Sequence, residues 1–147
     1  MSGRHFLRHA ATGLTPSAET TPFTYTSNLS EVRARVRRYA LLAGLPKARA
    51  DDLVIAVSEV AANTVRHARS TGTLDMWRCE NEIVCEIHDR GVINDPLAGQ
   101  RRPTADALAE HGLWLVYQLC DLVELLSGQE GTTVRMHMSI RVTETGG

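Results

Sequence analysis

Between Asp51 and Ala68 the sequence reads DDLVIAVSEVAANTVRHA, and its apolar spacing leaves this stretch little choice of conformation. Leu53, Val57, Val60, Ala61 and Val65 recur at three- and four-residue intervals, which puts them on one face of an α-helix. Glu59, Asn63 and His67 interrupt the pattern, each four residues after the last. Steps of four along a helix stack side chains one above another. A carboxylate and an amide beside an apolar stripe are costly to bury without partners. Either they form the solvated edge of a half-buried helix, or a polar ligand, a metal or water satisfies them. A Glu with an Asn one turn away suits positioning a nucleophile and completing the shell of a hard cation such as Mg²⁺. The helix alone leaves both readings open.

Such a helix needs a core to pack against, and 147 residues with 43% hydrophobic and 22% charged composition suit one domain with a core. A formal net charge of −1 provides no electrostatic case for nucleic acid or lipid headgroups. No apolar run approaches the ~20 residues that span a bilayer. The first residues lack the apolar stretch of a secretory signal. Cys79, Cys85 and Cys120 are odd in number and lack CxxC spacing, so they read as buried thiols of a cytoplasmic protein.

Residues 1–20 lack periodicity and are expected to be a flexible arm, with His5 and His9 a mobile surface pair rather than metal ligands. The domain is expected over 21–141, with a disordered tail at 142–147. Pro22 to Ser27 reads as an edge strand. Asn28 and Glu31 are spaced like a capping box for a helix whose core stripe is Val32, Val36, Tyr39, Ala40 and Ala43. Gly44 ends that helix and Pro46 opens the next. Arg33, Arg35, Arg37 and Arg38 fall mostly off the stripe, as a solvated face or a docking surface for an acidic partner.

After a turn at Ser70 to Gly72, two strands are expected at about 73–79 and 82–88, joined tightly at Glu80-Asn81. Ile83, Cys85 and Ile87 alternate on one face, and the same register carries Asp89 to the core side. A carboxylate at the end of an apolar stripe needs a donor. It serves as a strand-end turn former or accepts from an exocyclic amine such as that of adenine. Gly91 allows close approach of a flat ligand. Residues 92–110, with Pro96, Pro103 and Arg101-Arg102, lack a period and suggest a lid. His111-Gly112 leads into LWLVYQLCD, a buried helix whose N-terminus would suit an anion. Leu122 to Leu126 reads as a buried strand. In the last strand Thr132, Val134, Met136, Met138 and Ile140 face inward, while Arg135, His137 and Ser139 face out.

This order predicts a two-layer α/β (α+β) sandwich, with helices on one face of a mixed, largely antiparallel sheet. Its polar outliers cluster at Glu59/Asn63, Asp89/Gly91, Gly112 and Thr132, each placed where it could border one cavity.

The run ExxxNxxxHA (Glu59, Asn63, His67, Ala68), then DRG (Asp89, Gly91), HGLWLV (His111 to Val116) and GTT (Gly131 to Thr133) resembles the GHKL ATP-binding superfamily. The motifs and their surroundings over about residues 22–140 look most like anti-sigma factor serine/threonine kinases of the RsbW and SpoIIAB type. The resemblance implies a Bergerat-type ATP-binding fold and a Mg²⁺-dependent protein kinase that sequesters a sigma factor and phosphorylates an anti-anti-sigma (STAS-type) protein. By that resemblance Glu59 is the general base and Asn63 ligates Mg²⁺. Asp89 accepts from the adenine amine with Thr132 assisting, and Gly91 admits the base. His111, Gly112 and Leu113 form the start of the phosphate-holding helix. His67 is read as structural. The resemblance also implies a cytoplasmic protein and allows a homodimer, with no direct contact to nucleic acid or membrane. Two positions depart from the family pattern: Ile93 stands where DxGxG has its second glycine, and Glu110 replaces the first glycine of the phosphate motif. A binding module that keeps the fold but turns over little or no nucleotide is the alternative.

Overall fold

The computed structural model describes residues 22–68, 71–91 and 108–140. The expected arm at 1–20 with His5 and His9, the lid with Ile93, Arg101 and Arg102, and the tail at 142–147 lie outside the described residues. So do the side chains of His67, Glu110 and His111.

The described chain runs β1 (Phe23–Tyr25), α1 (Leu29–Ala43), α2 (Lys47–Asn63), a π-helical turn (Thr64–Ala68), β2 (Gly72–Cys79), β3 (Glu82–Asp89), α3 (Leu108–Leu119), β4 (Leu122–Gly128) and β5 (Gly131–Ser139). The five strands form one sheet in the order β1-β2-β3-β5-β4. Every described pairing is antiparallel. The helices cover one face, so the expected two-layer α/β architecture is borne out, with the described sheet wholly antiparallel rather than mixed.

Period-two alternation decides which side chains enter the core. Leu74, Ile87, Val134 and Leu125 form one row across the sheet, and Met76, Cys85, Met136 and Val123 the next. Against them α1 lays Val32, Val36 and Ala40, and α2 lays Leu53, Val57, Val60 and Ala61, all buried. Val65, expected on the stripe, is only half-buried, because the π turn rotates it off the α-helical face. Gly44 closes α1 in the left-handed region (φ 111°), where glycine carries no Cβ penalty.

Several local expectations need correction. Asn28 does not cap α1 with its side chain; its Oδ1 accepts from the Thr26 amide at 3.1 Å, tying β1 to the helix. Glu31 instead pairs with Arg35. The arginine set is largely engaged internally. Arg33 donates to Ser58, Arg35 lies over the Phe23 ring, and Arg37 pairs with Asp51, whose carboxyl is held below its ordinary pKa by hydrogen bonds from Lys47 and Arg37. Helix α3 already includes Leu108, one turn before Gly112, and among its described side chains Leu113 and Val116 are buried while Trp114, Leu115 and Leu119 are only half-buried. Leu122 is exposed because at the start of edge strand β4 it points to the face away from the helices, whereas Leu125 on the same strand points into the core. Cys85 and Cys120 are buried free thiols, whereas Cys79 is part-buried.

The sheet face away from the helices also differs from expectation. Arg135 and His137 lie on it but are buried. Cross-strand pairing is the reason: Arg135 bonds Glu86 at 3.1 Å, while His137 contacts Glu82 and Glu124 at 3.1 and 2.8 Å. At the opposite end of α2, Arg49 bonds Asp52, Asp121 and the Leu119 carbonyl, joining α2 to the end of α3. No described helix is long and apolar enough to cross a membrane.

Candidate functional site

One end of the sheet carries polar residues where the rest of the helix-facing surface is apolar. Asp89 on β3 faces Thr132 on β5, and Thr132 faces Ser127 on β4. Continuing the β2–β3 register by one residue sets Gly72 opposite Asp89, and Gly72 in turn faces Tyr25 on β1. The row Tyr25–Gly72–Asp89–Thr132–Ser127 therefore floors this end of the sheet. A side chain at position 72 would overlap the Tyr25 ring, so glycine there lets the ring lie across β2 toward Asp89.

Over this floor stands the C-terminal end of α2. Beyond Asn63 the helix widens into a single π-helical turn, an irregularity that recurs at functional sites. Thr64, the first residue of that turn, is 1% exposed and its Oγ1 lies 2.7 Å from Asp89 Oδ2. Tyr25 donates to the same Thr64 hydroxyl at 2.9 Å. Burial raises the Tyr25 pKa to about 12, so the phenol stays a donor well into the alkaline range. The other Asp89 oxygen accepts from the Gly91 amide at 2.7 Å, and Thr132 donates to the Gly91 carbonyl at 2.7 Å. Because the single proton of Thr132 is spent on that carbonyl, the 2.7 Å contact with Ser127 has Ser127 as donor. Asp89 itself is half-buried and keeps lone pairs for a ligand.

Glu59 and Asn63 sit above this floor on α2, both half-buried. A Cβ on Gly112 would come within 2.6 Å of Glu59 Oε1, so the glycine backbone of α3 packs directly on this carboxylate. Among the described residues no hydrogen bond to Glu59 is formed. Asn63 Oδ1 accepts from Arg66 Nη2 at 2.6 Å, within the π turn. Gly131 adopts φ 117° where its α-carbon passes the Asp89 carbonyl, and a Cβ there would collide with that oxygen.

The four expected segments thus meet at one end of the molecule. Thr64, next to Asn63, touches Asp89; Asp89 pairs with Thr132; Glu59 touches Gly112. Because α3 already includes Leu108, the amide of Gly112 lies within the helix rather than at its free N-terminal end. Leu113 is buried in the hydrophobic core. Sequence reasoning missed Tyr25, Thr64, Arg66, Gly72 and Ser127. The Phe23/Tyr25 alternation signalled that Tyr25 faces the helices, but nothing local connected it to Asp89.

Among the described residues no group of three or more His, Cys, Asp or Glu is arranged to hold a metal. A Mg²⁺ ion here would take one or two protein oxygens and complete its shell from phosphate and water, as Mg²⁺ characteristically does. Asn63 Oδ1 fits that demand, since Arg66 occupies only one of its two lone pairs.

A family profile described as "Histidine kinase-like ATPase domain" matches residues 22–138. No curated protein matches the chain. Solved structures with the same fold include the RsbU and RsbW domains of Rv1364c from Mycobacterium tuberculosis (TM-score 0.60, 20% identity, 81% of this chain and 32% of that one). The SiaB-SiaC complex from Pseudomonas aeruginosa also matches (TM-score 0.62, 14% identity, 92% of this chain and 97% of that one). A third is the histidine kinase domain of the blue-light activated histidine kinase EL346 from Erythrobacter litoralis (TM-score 0.52, 16% identity, 76% and 59%). The chain spans about a third of the first of these proteins and nearly the whole of the matched chain in the second.

Proposed function

Since this chain belongs to the histidine kinase-like ATPase family, we propose that it binds Mg-ATP between α2 and the polar end of the sheet and acts as an anti-sigma factor with protein serine/threonine kinase activity. It would sequester a sigma factor and phosphorylate a STAS-type anti-anti-sigma protein in the cytoplasm. The observation that carries this reading is the 2.7 Å bond from Thr64 to Asp89, which joins the Asn63 end of α2 to the proposed base acceptor. Likeness to chains described as RsbW domain and SiaB-SiaC complex supports the partner-switching part of the proposal.

In this reading Asp89 accepts the adenine amine and Gly91 leaves room for the ring, while Thr132 holds the Gly91 carbonyl in place. The N-terminal part of α3 around Gly112 would face the phosphates. Asn63 would be the protein ligand of Mg²⁺, which when bound would neutralise phosphate charge. Glu59 would take the proton of the partner's Ser or Thr hydroxyl as that oxygen bonds to the γ-phosphorus, the bond to the β,γ-bridging oxygen breaks and ADP leaves. The protein's contribution is mainly positioning and charge, as is usual in phosphoryl transfer.

The test combines calorimetry with transfer of labelled γ-phosphate to a STAS-type partner. Glu59→Ala is expected to bind Mg-ATP normally and transfer no phosphate, and Asn63→Ala to weaken Mg²⁺-dependent binding. Phosphotransfer by Glu59→Ala at the parental rate would remove the general-base assignment. The hold of Arg66 on Asn63 Oδ1 favours a second reading, a binding module with weak or no turnover. Nucleotide binding without phosphotransfer by the unaltered protein selects that module.

A further inference from the structure

Tyr25, Thr64 and Gly72 have no part in the proposed chemistry, yet all three converge on Asp89. The direction of every proton in this cluster follows from the acceptor at its end. An ionised carboxylate only accepts, so the bond to Asp89 Oδ2 at 2.7 Å takes the single proton of Thr64. The Val60 carbonyl is the competing acceptor and lies farther off at 3.4 Å. Thr64, having given its proton, accepts from Tyr25 at 2.9 Å. The Gly91 amide anchors the second carboxylate oxygen at 2.7 Å. Asp89 is thereby held from two directions by donors, which fixes its plane and leaves only acceptor sites for a ligand.

We propose that Thr64, backed by Tyr25, is a specificity-determining positioning pair: it locks Asp89 as an oriented acceptor, so the site selects a purine that carries an exocyclic amine. This inference rests on the reading of Asp89 as the base acceptor. The pair also links the base end of the site to β1, a strand of only three residues at the sheet edge. Gly72 makes the link possible, because any Cβ at that position would overlap the Tyr25 ring. Removing the Thr64 hydroxyl frees one oxygen of Asp89 to rotate, and its preference for an amine weakens.

Calorimetric titration with Mg-ATP and with Mg-purine riboside triphosphate, which lacks only the amine, tests this without any activity assay. The unaltered protein and Thr64→Ser are expected to bind ATP at least about tenfold more tightly than the analogue, the value of one good hydrogen bond to a charged group. Thr64→Val is expected to narrow that ratio below about threefold by weakening ATP, with analogue affinity unchanged. Thr64→Val strands the buried Tyr25 hydroxyl, so the double variant Tyr25→Phe/Thr64→Val supplies a folded form in which the same narrowing is expected. If the folded double variant discriminates as well as the unaltered protein, the inference falls while Asp89 keeps its role. If the unaltered protein fails to discriminate, the assignment of Asp89 falls first and the inference with it.

Discussion

Replacing Gly112 with alanine sets helix stability against the position of one carboxylate. The new methyl would stand 2.6 Å from Glu59 Oε1, with the remaining Glu59 atoms at ordinary contact distance of 3.6 Å and beyond. A relaxed carbon–oxygen contact needs about 1 Å more, and the group that must yield is the mobile end of a side chain. Alanine gains about 1 kcal/mol over glycine inside a helix. Pushing Glu59 off its rotamer costs about 0.5–1.5 kcal/mol. These contributions nearly cancel, so thermal denaturation of Gly112→Ala is expected within about 4 °C of the parent. Phosphotransfer is expected to fall by about 100-fold, because a displacement of about 1 Å in a reacting group has that effect. Calorimetry should show Mg-ATP binding retained, with any loss smaller than the loss of phosphotransfer, because the base end of the site is untouched. A stable variant that transfers phosphate at the parental rate would refute the claim that glycine is there to seat Glu59. A melting temperature lower by about 10 °C would instead show that the α2–α3 contact cannot yield.

Two further outcomes follow from the same geometry. Gly131→Ala is expected to lose about 3 kcal/mol or more, since φ 117° strains any side chain and the Cβ would meet the Asp89 backbone rather than a flexible group; a melting temperature within about 2 °C of the parent would contradict this. Tyr25 has a folded-state pKa raised from 10.0 to about 12, so its contribution is complete below pH 10 and is lost as pH rises toward 12, where the unfolded chain ionises first. By pH 11 the parent should therefore lose about 1.4 kcal/mol relative to Tyr25→Phe, and parallel denaturation curves for the two proteins from pH 9 to 11 would refute the shift.

The periodicities were enough to read the layers. Apolar steps of three and four along α2, and of two along β3 and β5, report which face is buried, because burial acts on each residue's side of its own element. For the same reason Asp89 and Thr132 were legible as neighbours facing inward at one sheet end. That Gly112 lies inside α3 was harder to read, since His111-Gly112 follows a stretch without a period and resembles a boundary. Arg135 and His137 looked solvated because alternation distinguishes two faces but cannot tell that the second one pairs its charges across strands.

Local sequence thus determined the helices, the strands and the identity of most polar residues at the site. Only the tertiary structure decided that Tyr25, 39 residues from Thr64 and at the far edge of the sheet, would complete the support of Asp89. A hydrogen bond between distant segments leaves no periodic trace in the sequence, because it depends on strand order, on the space left by Gly72 and on the extra width of one π turn.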